Sequence, residues 1–156
     1  MRMAAAIEAD LKPVNPIIMP ILMGGAFTAV RLAEHFRFPY EVDSLRVARF
    51  GNSAVGGKLH WLARPGLELG GRHVLLVDDV LDRGITLHAV ERELRRMNAA
   101  SVSAAVLVRK RLDPAIERPA VDYVGVDVPD RFLFGCGMDL EGLWRGLPAL
   151  YALPTL

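Results

Sequence analysis

A single cysteine, Cys136, occurs in the 156 residues, so no internal disulfide can form and the paired thiols of a zinc site are missing. Neither sign of charge is in excess. Nineteen Lys and Arg against 18 Asp and Glu leave a net charge of +1, too little for a broad field that would attract nucleic acid or a membrane surface. Any anionic ligand must therefore be held locally. The glycine patterns of the common nucleotide-binding loops, GxxxxGK[ST] and GxGxxG, are absent. The uncharged stretch "PVNPIIMPILMGGAFTAV" (13–30) approaches the length of a membrane span, but Asn15, Pro16, Pro20, Gly24 and Gly25 would break a spanning helix. The N-terminal "MRMAAAIEADLK" carries Glu8 and Asp10 where a signal peptide needs a continuous apolar run. These features exclude a disulfide-stapled secreted domain and a membrane protein, and a reducing cytoplasm is the expected location.

With hydrophobic residues at 52%, the chain can bury one core, and residues 1–156 are expected to form a single domain. Met3, Ile7 and Leu11 repeat every fourth residue, which predicts a short amphipathic N-terminal helix. Apolar runs then alternate with helical patterns. Strands are expected at 16–23, 41–50, 58–63, 73–77, 101–108 and 122–126, and helices at 26–36 and 86–97. In the second helix Leu87, Val90, Leu94 and Met97 share one face, opposite Glu91, Arg92, Arg95 and Arg96. Strands alternating with helices predict an α/β fold, a parallel sheet flanked by helices, with ligands beyond the carboxyl ends of its strands.

"HVLLVDDVLDRGITLHAV" (73–90) lies at such an end. Val74 to Val77 form the buried strand, Asp78 and Asp79 stand where it is expected to stop, and Asp82-Arg83-Gly84-Ile85-Thr86 turns the chain into a helix. Free N–H groups at Gly84 to Thr86 suit a phosphate, with the Thr86 hydroxyl as a further donor. The adjacent carboxylates suit sugar hydroxyls, a metal ion, or both. Taken singly, Thr86 could be a helix cap, and Asp78 and Asp79 solvated turn residues. Together they describe a site for a phosphorylated sugar.

"VLLVDDVLDRGITL" closely resembles the phosphoribosyl pyrophosphate (PRPP) signature of the type I phosphoribosyltransferases. Further matches resemble the hypoxanthine-guanine branch: "ILMGGAF" (21–27), "VDSLRVARFG" (42–51), "GGKLHW" (56–61), "LVRK" (107–110), "DYVGVDVPDRFLFGCGMD" (122–139) and "WRGLP" (144–148). The resemblance runs from about residue 15 onward. It implies a twisted parallel sheet flanked by helices, with a small hood over the carboxyl edge built from N- and C-terminal segments. It also implies an enzyme of purine salvage that moves the phosphoribosyl group of PRPP to N9 of hypoxanthine or guanine, giving IMP or GMP and pyrophosphate.

Residue by residue, the resemblance places Asp78 and Asp79 against the ribose hydroxyls and makes Asp82 the acceptor for purine N7. Residues Asp82, Arg83, Gly84, Ile85 and Thr86 would cradle the 5′-phosphate, and Met23, Gly24 and Arg145 would face the pyrophosphate. Lys110 would donate to the 6-oxo group, Phe132 would stack on the base, and Leu133 would reach its pyrimidine edge through its backbone. Mg2+ is the implied cofactor, held mainly by substrate oxygens with Asp139, Asp78 and Asp79 as the protein acids. Arg49, Phe50 and Gly51 would begin a lid. PRPP and a purine base are the implied ligands, and a homodimer or homotetramer the implied assembly.

The sequence departs from the family pattern at Met23, where some relatives carry a polar residue, and at Phe50, where many have tyrosine. Arg109 stands where an acid is frequent, Cys136 where an aromatic is, and the N-terminal helix is shorter than usual. Two other classes share part of this pattern. "LLVDD" also opens receiver domains, but there the acid pair closes the first strand, and the chain after Asp79 is too short for the rest of a receiver. A non-catalytic regulator binding PRPP or a nucleotide on the same fold needs a basic face or an added nucleic-acid-binding segment, and neither is visible. A preference for xanthine also stays open.

Overall fold

A computed structural model describes residues 2–49 and 59–154. Its elements are α1 (Arg2–Leu11), β1 (Ile17–Leu22), α2 (Gly24–Ala33), β2 (Glu41–Val42), β3 (Leu45–Arg49), β4 (Leu59–Ala63), β5 (His73–Leu81), α3 (Ile85–Arg96), β6 (Ser101–Arg111), β7 (Tyr123–Pro129), β8 (Leu133–Phe134) and β9 (Tyr151–Ala152). The main sheet runs β4-β3-β1-β5-β6-β7, with β2 beside the start of β1. All of its pairings are parallel except β3 with β4. No described helix is long and apolar enough to cross a membrane.

The side-chain period of two explains why both faces are apolar. Ile17, Met19 and Ile21 of β1 and Val74 and Leu76 of β5 pack with Leu87, Val90 and Leu94 of α3. The alternate residues Ile18, Leu75 and Val77 face the other way, toward Ala29 and Leu32 of α2 and Ala4, Ile7 and Leu11 of α1. The N-terminal segment, expected to contribute to the hood, is thus part of this second core layer: Ile7 is fully buried. Tyr123 ties it to β7, its hydroxyl donating to Asp10 Oδ2 at 2.9 Å. Burial and that carboxylate push the Tyr123 phenol upward.

The predicted elements all occur, and three of the differences in their bounds bear on the site. The strand expected over 41–50 is two strands. Asp43 interrupts it by accepting from the N–H groups of Ser44, Gly66 and Leu67 at 2.6, 2.8 and 2.8 Å, so the local carboxylate replaces ladder partners. The strand at 73–77 extends to Leu81, because Asp78, Val80 and Leu81 stay paired with Val106, Val108 and Arg109 of β6. β6 likewise continues to Arg111, paired with β7 through Lys110 and Val128. Asp78, Asp79 and Lys110 therefore sit within paired strands and not just beyond them.

Candidate active site

The alternation that builds the core also aims the two acids. Asp79 follows Leu75 and Val77 onto the α2 side of the sheet, whereas Asp78 follows Val74 and Leu76 onto the α3 side. The Asp79 N–H donates to Asp78 Oδ1 at 2.9 Å. Burial, then the neighbouring Asp79 charge, pushes the Asp78 carboxyl well above the ordinary carboxylate range. Asp79 is also raised by burial, an effect opposed by a backbone donor at Val80 and by the Arg145 guanidinium. Two adjacent, desolvated carboxylates favour a ligand that brings hydroxyl donors or positive charge.

On the α2 side the partner is glycine. A Cβ on Gly24 would lie 1.8 Å from Asp79 Oδ2 and 2.4 Å from its Cγ, and one on Gly25 would lie 2.2 Å from the Val77 carbonyl oxygen. Only residues without a side chain let the turn after β1 approach the end of β5 this closely. The Leu22–Met23 peptide in this turn is cis. The Met23 side chain is exposed, so the Met23-Gly24 backbone, and not a charged side chain, is what the turn offers an anion.

The C-terminal segment closes on the same point. A Cβ on Gly137, whose φ is +111°, would meet the Gly24 carbonyl oxygen at 2.4 Å. Arg145 donates to the Gly137 carbonyl at 2.7 Å and pairs with Asp139 at 2.5 Å. Asp139 also accepts from the Gly142 N–H at 2.7 Å. Met23, Gly24, Asp79, Asp139 and Arg145, which span 123 positions of the chain, form one neighbourhood. Gly135 and Gly142 have positive φ, as do Cys136, Glu141 and Trp144. Such backbone is costly for residues with a side chain, yet it folds this segment tightly enough to present Arg145.

Two cavities open at the end of β5. One, of about 410 Å³, is lined by Asp78, Asp79, Val80 and the run from Asp82 to Leu87. Gly84, with φ +70°, is the residue before α3, which begins with no side-chain cap, so the first N–H groups of the helix remain available to an anion. Thr86 is thus a donor inside the first turn, not a cap. A Cβ on Gly84 would also strike Pro119 at 2.7 Å. The second cavity, of about 320 Å³, is lined by Asp79, Val80, Asp82, Lys110, Phe132, Leu133, Met138 and Asp139. Phe132 is 52% exposed and free to stack on a planar ligand. The Lys110 ammonium lies 3.4 Å from Asp82 and 3.2 Å from Asp130. Asp79, Val80 and Asp82 line both cavities, so an anionic sugar in one and a planar base in the other would meet at this wall.

The family model described as "Phosphoribosyl transferase domain" matches residues 1–141. The chain belongs to that family. It is 31% identical to the hypoxanthine-guanine phosphoribosyltransferase of Streptococcus pneumoniae (strain ATCC BAA-255 / R6), over 97% of this chain and 84% of the relative. It is 27% identical to the hypoxanthine-guanine-xanthine phosphoribosyltransferase of Tritrichomonas foetus, over 95% of this chain and 81% of that protein. Among solved structures, a hypoxanthine-guanine-xanthine phosphoribosyltransferase aligns with a TM-score of 0.87 at 26% identity, covering 99% of this chain and 88% of that one. The Trypanosoma cruzi hypoxanthine phosphoribosyltransferase, as a mutant complexed with the product IMP, aligns with a TM-score of 0.87 at 26% identity, covering 98% and 82%.

Within this phosphoribosyltransferase chain, the predicted site residues fall into the two cavities and the neighbourhood around Gly24. Of the predicted lid, the Arg49 backbone ends β3, and Phe50 and Gly51 lie outside the described residues. Among the described residues no group of three or more His, Cys, Asp or Glu is arranged to hold a metal ion, so Asp78, Asp79 and Asp139 do not form a cage by themselves. Sequence reasoning missed Val80, Met138 and Asp130. Val80 and Met138 look like core residues in sequence, and nothing in "VPDRF" separates Asp130 from a solvated turn acid. The substitution of Arg109 for the usual acid is matched by Asp127, which accepts from its guanidinium at 2.6 and 3.0 Å.

Proposed function

We propose that this chain is a purine-salvage transferase that moves the phosphoribosyl group of PRPP to N9 of hypoxanthine or guanine, releasing pyrophosphate and IMP or GMP. The observation that carries this reading is the pair of cavities sharing the Asp79–Val80–Asp82 wall. One has the donors for a sugar phosphate, the other the platform and polar groups for an oxopurine. The relatives named for hypoxanthine and guanine support the same substrates.

In this reading the 5′-phosphate occupies the uncapped start of α3, held by the N–H groups and hydroxyl between Arg83 and Thr86. Asp78 and Asp79 accept from the ribose hydroxyls, which offsets the cost of burying them. The Met23-Gly24 backbone and Arg145 receive the pyrophosphate. Phe132 stacks on the base, Leu133 meets its pyrimidine edge, and Lys110 donates to the 6-oxo oxygen, which selects against the 6-amino group of adenine. As C1 becomes cationic and N9 attacks, positive charge spreads to N7, where Asp82 accepts the proton or hydrogen bond. Holding base and sugar in adjoining cavities that meet at Asp79, Val80 and Asp82 brings the reacting atoms together.

The donor set fits magnesium of a particular kind. Asp78 and Asp79 are hard oxygen ligands whose burial favours a cation, and Asp139 lies beside them next to Arg145, but the absence of a complete cage among the described residues requires substrate oxygens to fill most of the shell. Magnesium so held would neutralise charge on the departing pyrophosphate. The exposed Val30 of α2, and the exposed Val126, which lines a separate cavity of about 510 Å³, support assembly as a homodimer or homotetramer. The single, buried Cys136 suits a reducing cytoplasm.

Incubation with PRPP, magnesium and hypoxanthine, guanine, xanthine or adenine, followed by nucleotide separation, tests the reading. IMP and GMP are the expected products. Adenine turnover above that of every oxopurine would contradict the role of Lys110, and PRPP binding without turnover of any base would favour the regulator.

A further inference from the structure

Lys110 is held by more than the group it is expected to serve. Its ammonium lies between two carboxylates, Asp82 at 3.4 Å and Asp130 at 3.2 Å. Both distances exceed the usual 2.7–2.9 Å of a committed ammonium–carboxylate bond, so the ammonium is shared between the two acids. The Lys110 side chain is 15% exposed, against 52% for Asp82 and 57% for Asp130. The backbone beneath it is fixed: Lys110 pairs with Val128 across β6 and β7, and its carbonyl accepts from Arg118 at 2.5 Å. Asp130 follows the end of β7 and comes two residues before Phe132. The ion pair therefore links the donor on one strand to the segment carrying the stacking ring on the next.

We propose that Asp130 is a positioning residue for base recognition: it holds the Lys110 ammonium off Asp82 and aims it at the purine 6-oxo oxygen above Phe132. This rests on the function proposed above. Without Asp130, Lys110 has one anionic partner left in reach, and a tighter Lys110–Asp82 pair occupies both the 6-oxo donor and the N7 acceptor. The three groups together carry a net negative charge, which suits a base that becomes positive at N7. Neutralising Asp130 removes that excess charge. Asp130 touches neither reactant and acts only through Lys110.

The test compares Asp130→Asn, Asp130→Glu and wild-type protein, each with magnesium and saturating PRPP. Two constants are measured: the KM for hypoxanthine, and the inhibition constant of unsubstituted purine, which stacks but has no 6-oxo group. Asp130→Asn should raise the hypoxanthine KM about tenfold or more, the effect of losing one hydrogen bond to a charged group, with the purine constant and the PRPP Kd unchanged. Asp130→Glu should restore part of the loss. Equal weakening of both bases would show general damage to the cavity and overturn the proposal, as would a hypoxanthine KM equal to wild type. A wild-type protein that turns over no oxopurine overturns the functional reading and this role together, whereas an active wild type with an unaffected Asp130→Asn overturns this role alone.

Discussion

Gly24→Ala is a small change placed at the tightest point of the site. The new Cβ would stand 1.8 Å from Asp79 Oδ2 and 2.4 Å from Cγ, against ordinary carbon contacts of about 3.5–4.0 Å, so the Asp79 carboxylate must swing away. The backbone itself has no objection: Gly24 opens α2 without positive φ, and alanine is a better helix former by roughly 1 kcal/mol. Asp79 also leaves a desolvated position, which offsets part of the crowding. Stability should therefore change by no more than about 1 kcal/mol, or roughly 2–4 °C in Tm. PRPP binding should suffer more. Losing a hydrogen bond to a charged group costs about 1.5–3 kcal/mol, a rise in PRPP Kd of roughly 10- to 100-fold. Calorimetric titration with PRPP and magnesium, beside thermal melts, measures both. In a double-mutant cycle, adding Gly24→Ala to Asp79→Ala should cost little further. A Gly24→Ala protein with wild-type PRPP affinity, or fully additive losses, would refute the claim that this glycine exists to seat Asp79.

Asp82→Asn should lower kcat by about 10²-fold or more, since its acceptor matters most as N7 becomes positive, while PRPP Kd measured by titration stays near wild type. Thr86→Ala should raise that Kd about tenfold through loss of a phosphate donor, with kcat at saturation little changed. Asp78→Asn should abolish tight PRPP binding yet raise the Tm of the ligand-free protein by a few degrees, because it removes a carboxyl whose ionisation burial opposes. The sign of its pH dependence follows from the raised carboxyl. The folded protein holds the Asp78 proton more tightly than the unfolded chain, whose value is near 3.8. The stability so gained is complete below the unfolded value and is lost as pH rises toward the folded one. The Tm advantage of Asp78→Asn should thus grow as melts move from about pH 4 toward neutrality, and an advantage constant over that range would contradict the burial of this acid.

The site residues were legible where chemistry is local. Asp78, Asp79, Asp82 and the Gly84–Thr86 turn lie in one continuous stretch, so their types and order describe a sugar-phosphate site before any fold is known. Strand ends were less legible. Asp78 and Asp79 are polar and read as the end of a strand, yet ladder bonds are made by the backbone, and β6 continues the pairing whatever the side chains are. The split at Asp43 depends on Gly66 and Leu67, more than 20 residues away. Asp130 and Pro119 matter through contacts to Lys110 and Gly84 that only the folded chain creates. The placement of α1 in the core was hidden for a similar reason: its apolar face was visible, but not the surface of the sheet that it covers.

The most direct test of the central claim follows the phosphorus atoms of PRPP by 31P NMR in the presence of the protein, magnesium and hypoxanthine. The PRPP resonances should give way to those of free pyrophosphate and a nucleoside monophosphate in equal amounts, with no change when hypoxanthine is omitted or Asp82→Asn replaces wild type on the same timescale. PRPP resonances that broaden or shift on binding but persist with hypoxanthine, and equally with guanine, would contradict a transferase and leave a protein that only holds its ligand.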